Sequence, residues 1–336
     1  MRIERKNEHI ENYLKTLYTG DTLFSNIFIE HNALPELSMD DIDTSVEIFG
    51  KKASQPFMIN AITGGGEIST DINGDLARLA KEFNIPMAVG SQKVALDVEE
   101  ARESFMIIRE ILDKDNIVIG NLSARETLEE VEIASEMIEV DAMQLHLNTL
   151  QELVMSEGDR DFRNQLTNIE NIVNNYNKPI IVKETGAGIS KDVAQRLYDV
   201  GVRYIDISGS GGTNFVEIEN IRRFDMDFSD LYGWGIPTAK SIIDCRTLPN
   251  DLHIIGSGGI KTGKDIVKAI ILGSDLVGIS GEILSYLMHG GYQGAKEYLE
   301  ILTYKLKMIM LLLGKKNIAE LKKTDYKVFG KLKDIL

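Results

Sequence analysis

The sequence predicts an α/β fold, a (β/α)8 TIM barrel with an N-terminal extension and a short C-terminal tail. From Pro56 to Ser280, short apolar and β-branched runs alternate with helical patterns, and each run closes on Gly, Ser, Thr or Asn. The runs number roughly eight, and their span is near the ~250 residues typical of a closed barrel of this kind. Between them lie stripes such as Ile72, Leu76, Leu79, Ala80 and Phe83, or Val131, Ala134 and Ile138, whose spacing suits helices that cover a barrel wall.

In order, the expected strands are Phe57 to Ala61, Pro86 to Val89, Ile117 to Gly120, Ala142 to Leu147, Pro179 to Lys183, Tyr204 to Ile207, Leu252 to Ile255 and Leu276 to Ile279. Ser190 and Thr262 stand where they can cap the helices that follow, and Gly201 and Gly273 stand where helices end. Residues 1–54 form an extension expected to contribute to the site, 55–313 the barrel, and 314–336 a lysine-rich tail. The sixth unit is unusual, because Ser208 to Gly235 separates its strand from a helix beginning near Pro237. A connection of that length in a compact domain is usually functional or mobile.

The bulk composition narrows the function classes. With 336 residues and 43% hydrophobic content the chain can bury a large core, and disorder is disfavoured. Lys and Arg number 37 against 52 Asp and Glu, a net charge of -15 that argues against a nucleic-acid or anionic-membrane surface. An anionic ligand would need a locally basic pocket. A lone Cys245 and an N-terminus without an apolar run lead us to expect a cytoplasmic protein. The patch Met308 to Leu313 is too short to span a bilayer and reads as a core-facing helix.

Chemistry concentrates where the strands end, the catalytic face of such barrels. The fourth strand breaks into His146, Asn148, Gln151 and Glu152 within a few residues, a polar set that a packed strand does not need. The glycines of Ser257-Gly258-Gly259 and Ser280-Gly281 follow strands seven and eight, where amides without a flanking Cβ can approach a phosphate. Gly209-x-Gly211-Gly212 departs from the dinucleotide fingerprint and leads into the long connection. Lys183 projects from a buried strand and needs an anionic partner; Glu184 faces the opposite way, which favours a bound anion such as a ligand oxygen or a reduced flavin ring. Thr63, Ser91 and Asn121 offer small polar groups around the same rim, suited to a planar heteroaromatic cofactor.

With these residues in view, the chain resembles the FMN-dependent type 2 isopentenyl-diphosphate isomerases over nearly its whole length. The resemblance is carried by Arg5-Lys6-x-x-His9, Ala61-Ile62-Thr63-Gly64-Gly65, Ala88-Val89-Gly90-Ser91-Gln92-Lys93 and Gln144 through Asp159. Lys183-Glu184-x-Gly186, Ser208-Gly209-x-Gly211-Gly212-Thr213-Asn214-Phe215 and Trp234-Gly235 extend it. It implies conversion of isopentenyl diphosphate to dimethylallyl diphosphate by a redox-neutral 1,3-proton shift that requires reduced FMN and Mg2+, with NADPH as reductant and a homo-oligomer, a tetramer or octamer. By motif position it implies that Ile62, Thr63, Gly64, Ser91, Asn121, Lys183, Ser208, Thr213, Gly258, Gly259, Lys261, Ser280 and Gly281 hold FMN. Arg5, Lys6, His9, Ser91, Gln92, Lys93, His146, Asn148 and Gln151 would line the substrate, Glu152 would bind Mg2+, and Gln151 would be the catalytic residue. Under the resemblance, Arg5 and Lys6 lie on an ordered strand or helix folded over the site, either of their own chain or of a neighbouring subunit.

The chemistry is consistent with that set. Moving a double bond adds a proton at one carbon and removes one two carbons away, through charge like that of a tertiary carbocation. A reduced flavin stacked on the alkene would stabilise the charge and exchange a proton at N5, with Gln151 as a relay on the other side. The alternative is an FMN-dependent oxidoreductase of the hydroxy-acid oxidase type on the same barrel. That reading wants a basic His beside an Arg on the late strands, where only His253 stands, within a strand.

Overall fold

Among the described residues, eight parallel strands pair edge to edge and the last returns to the first, closing a barrel. The computed structural model describes residues 2–18, 20–222 and 225–336, with the backbone alone for residues 2–7 and 67. In chain order the strands are β1 (Ile27–Ile29), β2 (Val46–Ile48), β3 (Lys51–Ala53), β4 (Phe57–Ile59), β5 (Met87–Ala88) and β6 (Val118–Ser123). They continue with β7 (Ala142–Leu147), β8 (Ile180–Glu184), β9 (Tyr204–Asp206), β10 (His253–Ser257), β11 (Leu276–Ile279) and β12 (Tyr326–Val328). Strands β4 to β11 form the barrel, so every strand expected from the sequence is present; β7 and β11 have the expected ends and the others differ by at most three residues.

Alternation along the strands sorts the interior into layers. Met58, Ala88, Ile119, Ala142, Ile181, Ile255 and Leu276 form an apolar layer, and the β2–β3 hairpin closes the end beneath it with Ile48, Phe49 and Ala53. Two residues further along the same strands the interior turns polar, with Asn60, Asn121, Gln144, Asp206 and Ser257 all buried. His146 of β7, Lys183 of β8 and Asp206 of β9 are successive register partners and project the same way.

Outside the wall, Leu76, Leu79, Ala80, Val131, Ala134 and Ile138 are buried against the strands, each large aliphatic side chain contributing about 1.5–3 kcal/mol. Local chemistry starts the helices. Ser190 Oγ accepts from Val193 N, while Thr127 with Glu130 and Thr262 with Asp265 form reciprocal capping boxes.

Three segments differ from the sequence reading. The long connection after β9 is not a bare loop but holds a helix, Phe215–Arg222, started by Asn214 Oδ1 accepting from Val216 N and Glu217 N. Its apolar stripe is interrupted by Glu217 and Glu219, which are buried because each has partners, and that interruption hid the helix. The weakly periodic N-terminus forms a helix, Arg2–Tyr13, packed on the helix Phe215–Arg222 of its own chain. The lysine-rich tail, residues 314–336, carries structure of its own, since β12 pairs antiparallel with β1 and Ile318, Leu321 and Leu332 are buried. The lysines between those anchors mask the pattern.

Candidate active site

A cavity of about 1330 Å3 opens over the C-terminal ends of the barrel strands. Its rim includes Ile62, Thr63 and Ser91 from the first two strand ends and Asn121 from the third. His146, Asn148, Gln151 and Glu152 come from the fourth, and Lys183, Ser208 and Thr213 from the next two. Gly258, Gly259, Lys261, Ser280 and Gly281 complete the circle, with His9 and Lys93 at the edge.

Two expected contacts lie outside this lining. Gln92 is fully buried in the helix layer, donating from Nε2 to Ala134 O at 2.8 Å and accepting Asn121 N at Oε1, so its amide holds the β6 end in place and does not meet a ligand. Gly64 is buried where a Cβ would overlap the Phe105 ring, so it is small for packing. The side chains of Arg5 and Lys6 lie outside the described residues.

The floor is one hydrogen-bonded array. Asn121 Nδ2 donates to Gln144 Oε1 at 2.8 Å, which turns Asn121 Oδ1 toward His146 Nδ1 at 2.9 Å. The imidazole therefore carries its hydrogen on Nδ1. Gln144 Nε2 donates to Asn60 Oδ1 at 2.9 Å, and Asn60 Nδ2 to Asp206 Oδ2 at 2.7 Å. Lys183 Nζ donates to Glu184 O at 2.6 Å and stands 4.0 Å from Asp206 Oδ2. The protein thus supplies Lys183 with an anion that the sequence reading did not find. The Glu184 carboxylate instead accepts the amides of residues 185 to 188. Burial pushes its pKa above the ordinary value even against those bonds.

On the wall opposite the late glycines, Glu152 Oε1 accepts Asn148 Nδ2 and Oε2 accepts Asp159 N, each at 2.8 Å. Arg125, unforeseen from sequence, lies 3.8 Å from Glu152 and pairs with Asp159. Lys93 is committed to Glu130 at 2.5 Å and Glu126 at 2.9 Å. Partial burial would lower its pKa, but those two bonds raise it. Gln151 Nε2 lies 3.5 Å from Glu219 Oε1, and His9 Nε2 lies 2.7 Å from the same oxygen. Arg222 reaches Glu219, Glu157 and Glu8. Burial alone would raise the Glu219 pKa, yet His9 and Arg222 hold it below the ordinary range.

The glycine loops suit a phosphate. Gly258 and Gly259 adopt φ of 98° and 75°, a left-handed turn that L side chains rarely adopt. The helix after Thr262 caps itself with Asp265, whereas the helix beginning at Gly281 has no side-chain cap, which leaves its first amides for a ligand. Glu282 stands in that first turn, paired with Lys261 at 3.8 Å. For a cation the donors are sparse: among the described residues no group of three or more His, Cys, Asp or Glu comes together. Glu152 alone suits an ion that takes its remaining ligands from water and a phosphate, as Mg2+ does.

Asn60, Gln144, Asp206 and Glu219 had a sequence signal, a carboxylate or amide set between apolar strand or helix residues. Such a residue is either partnered inside or misassigned. His253, by contrast, starts β10 at the far end of the barrel, stacked on Tyr204 with ring centroids 4.7 Å apart. It is not among the cavity residues.

Comparison with known proteins agrees with this geometry. The FMN-dependent dehydrogenase family profile matches residues 11–118 and 115–327. An isopentenyl-diphosphate delta-isomerase from Geobacillus sp. is 43% identical over 330 residues, 98% of this chain and 94% of that protein. One from Bacillus pumilus is 42% identical over 331 residues, 98% and 92% of the two chains. Among solved structures, a flavocytochrome b2 variant superposes with a TM-score of 0.71 at 20% identity, covering 98% of this chain and 84% of the other. A mandelate oxidase variant gives 0.66 at 16%, covering 96% and 92%. These two share the fold. From the profile and the near full-length relatives, the chain belongs to the FMN-dependent isopentenyl-diphosphate delta-isomerase family.

Proposed function

We propose that the protein converts isopentenyl diphosphate to dimethylallyl diphosphate by a redox-neutral 1,3-proton shift, with reduced FMN and Mg2+ bound in the barrel-mouth cavity. The observation that carries this reading is the facing arrangement of two walls. Glycine turns and an uncapped helix start lie on one side, and His146, Asn148, Gln151 and Glu152 on the other. When bound, reduced FMN supplies an electron-rich ring that stabilises positive charge on a branched alkene and a ring nitrogen that exchanges a proton.

The chain's own residues divide the remaining work. Gly258, Gly259, Ser280 and Gly281 would take the FMN phosphate, and Lys261 offsets Glu282 beside it. Ile62, Thr63, Ser91, Asn121, Lys183, Ser208 and Thr213 would surround the ring and its chain. Glu152 would hold Mg2+ against the diphosphate, with His146, Asn148, Arg125 and Lys93 around that end and Arg5 and Lys6 joining from the N-terminal helix. Gln151 would face the alkene; its amide is oriented by Glu219, which also anchors His9. With Glu219 behind it, Gln151 can hold or pass a proton that an isolated amide would handle poorly.

In this reading residues 1–54 supply part of the substrate wall, 55–313 the flavin barrel, and 314–336 a closing segment tied to β1. NADPH is the proposed reductant, the assembly a tetramer or octamer, and the setting the cytosol. No described helix is long and apolar enough to cross a membrane. Turnover of isopentenyl diphosphate that requires flavin reduction but consumes no further reductant tests the proposal. The hydroxy-acid oxidase alternative loses its base, because His253 sits at the closed end of the barrel.

A further inference from the structure

The barrel interior contains a carboxylate that packing does not require. Asp206 is 0% exposed, one layer above aliphatic residues that fill the same strands. Taking such a group from water costs several kcal/mol, which an apolar side chain in that layer would not incur. Its oxygens are held by protein donors: Oδ2 accepts Asn60 Nδ2 at 2.7 Å and Gln144 Nε2 at 3.5 Å, and Oδ1 accepts Ser257 Oγ. Neutral donors solvate the charge but do not cancel it. Among the described residues the cation within 4.0 Å is Lys183, its register partner on β8, which reaches the cavity floor.

A cation with a carboxylate behind it presents a dipole, and in a low-dielectric interior the carboxylate's opposing field offsets a substantial part of the cation's. We propose that Asp206 is a positioning residue that holds Lys183 at the cavity floor and sets how much of its positive charge a bound FMN ring experiences. It thereby sets the preference of the site for reduced over oxidised FMN. This rests on the reading that Lys183 faces the flavin. The array continues through Gln144 and Asn121 to His146, so the same carboxylate also orders the floor beneath the diphosphate end.

The test is the midpoint potential of FMN bound to the full chain, measured for the parent, Asp206→Asn, Lys183→Met and the double variant, with the FMN affinity of each. Asp206→Asn leaves Lys183 uncompensated and is expected to favour reduced FMN at least tenfold, an upward shift of about 30 mV for a two-electron couple. Lys183→Met is expected to shift the potential downward by a similar factor, and in that background the effect of Asp206→Asn falls by more than half. A Lys183→Met shift with no upward shift in Asp206→Asn overturns the role of Asp206. An unchanged potential and affinity in Lys183→Met overturns the placement of Lys183 against the flavin. If Asp206→Asn does not fold, Asn60→Ala replaces it: removing a neutral donor strengthens the carboxylate's field and lowers the potential, and no shift there also overturns the proposal.

Discussion

His9 Nε2 lies 2.7 Å from Glu219 Oε1, joining the N-terminal helix to the helix of the long connection across 210 positions of sequence. Glu219 is 1% exposed and also contacts Arg222 and Gln151, so one carboxylate positions elements that wall the cavity. Removing one partner of a buried pair costs about 3–5 kcal/mol. Glu219→Gln keeps the shape but not the charge, and is expected to raise KM for the diphosphate roughly tenfold. Steady-state kinetics at saturating FMN check it; an unchanged KM would show that the helix docks without this bond.

Glu152 offers the cavity a carboxylate whose oxygens are oriented by Asn148 Nδ2 and the Asp159 amide. Glu152→Gln is expected to abolish Mg2+-dependent turnover while the flavin absorbance of the reconstituted protein stays intact. Persistence of Mg2+-dependent turnover would place the metal elsewhere.

Gln151 has a buried carboxylate behind its amide, which distinguishes it from an exposed glutamine. Gln151→Ala is expected to lower kcat by roughly 100-fold or more, in the range of a positioned proton-transfer group. Near-normal kcat with a raised KM would reduce its role to orienting substrate.

Glu130 links a helix cap to the cavity edge. Partial burial opposes its ionisation, but the bond from Lys93 and the cap with Thr127 bring its pKa down to about 2. Because the folded value lies below the unfolded one, its contribution is complete above the ordinary glutamate pKa, near 4.3. That contribution is lost as pH falls through the window down to about 2. Glu130→Gln is expected to flatten the loss of thermal stability between about pH 4.5 and pH 3 relative to the parent, followed by Tm across that range. Parallel Tm profiles would contradict it.

The barrel was legible because its signals are local: β-branched runs, turn residues at their ends, and caps such as Thr262 with Asp265. The site was legible as a set of strand ends, which placed His146, Lys183 and the late glycines around one cavity. What the sequence concealed depends on partners far along the chain. Gln92 sits beside cavity residues Ser91 and Lys93, yet its amide serves Ala134, a contact no neighbouring residue announces. The helix Phe215–Arg222 was hidden because Glu217 and Glu219 read as solvent-facing until Leu17, Tyr18 and His9 arrive to bind them. Ile318, Leu321 and Leu332 are too sparse among lysines to mark a packed segment before β1 supplies its partner strand.

The central claim is isomerisation without net electron transfer. It is tested most directly by incubating the protein with isopentenyl diphosphate, Mg2+ and FMN reduced once by dithionite, then identifying products under anaerobic conditions. The expected result is dimethylallyl diphosphate in many-fold excess over flavin, with the flavin still reduced. Substrate recovered unchanged, or product limited to the amount of flavin that becomes oxidised, would contradict it.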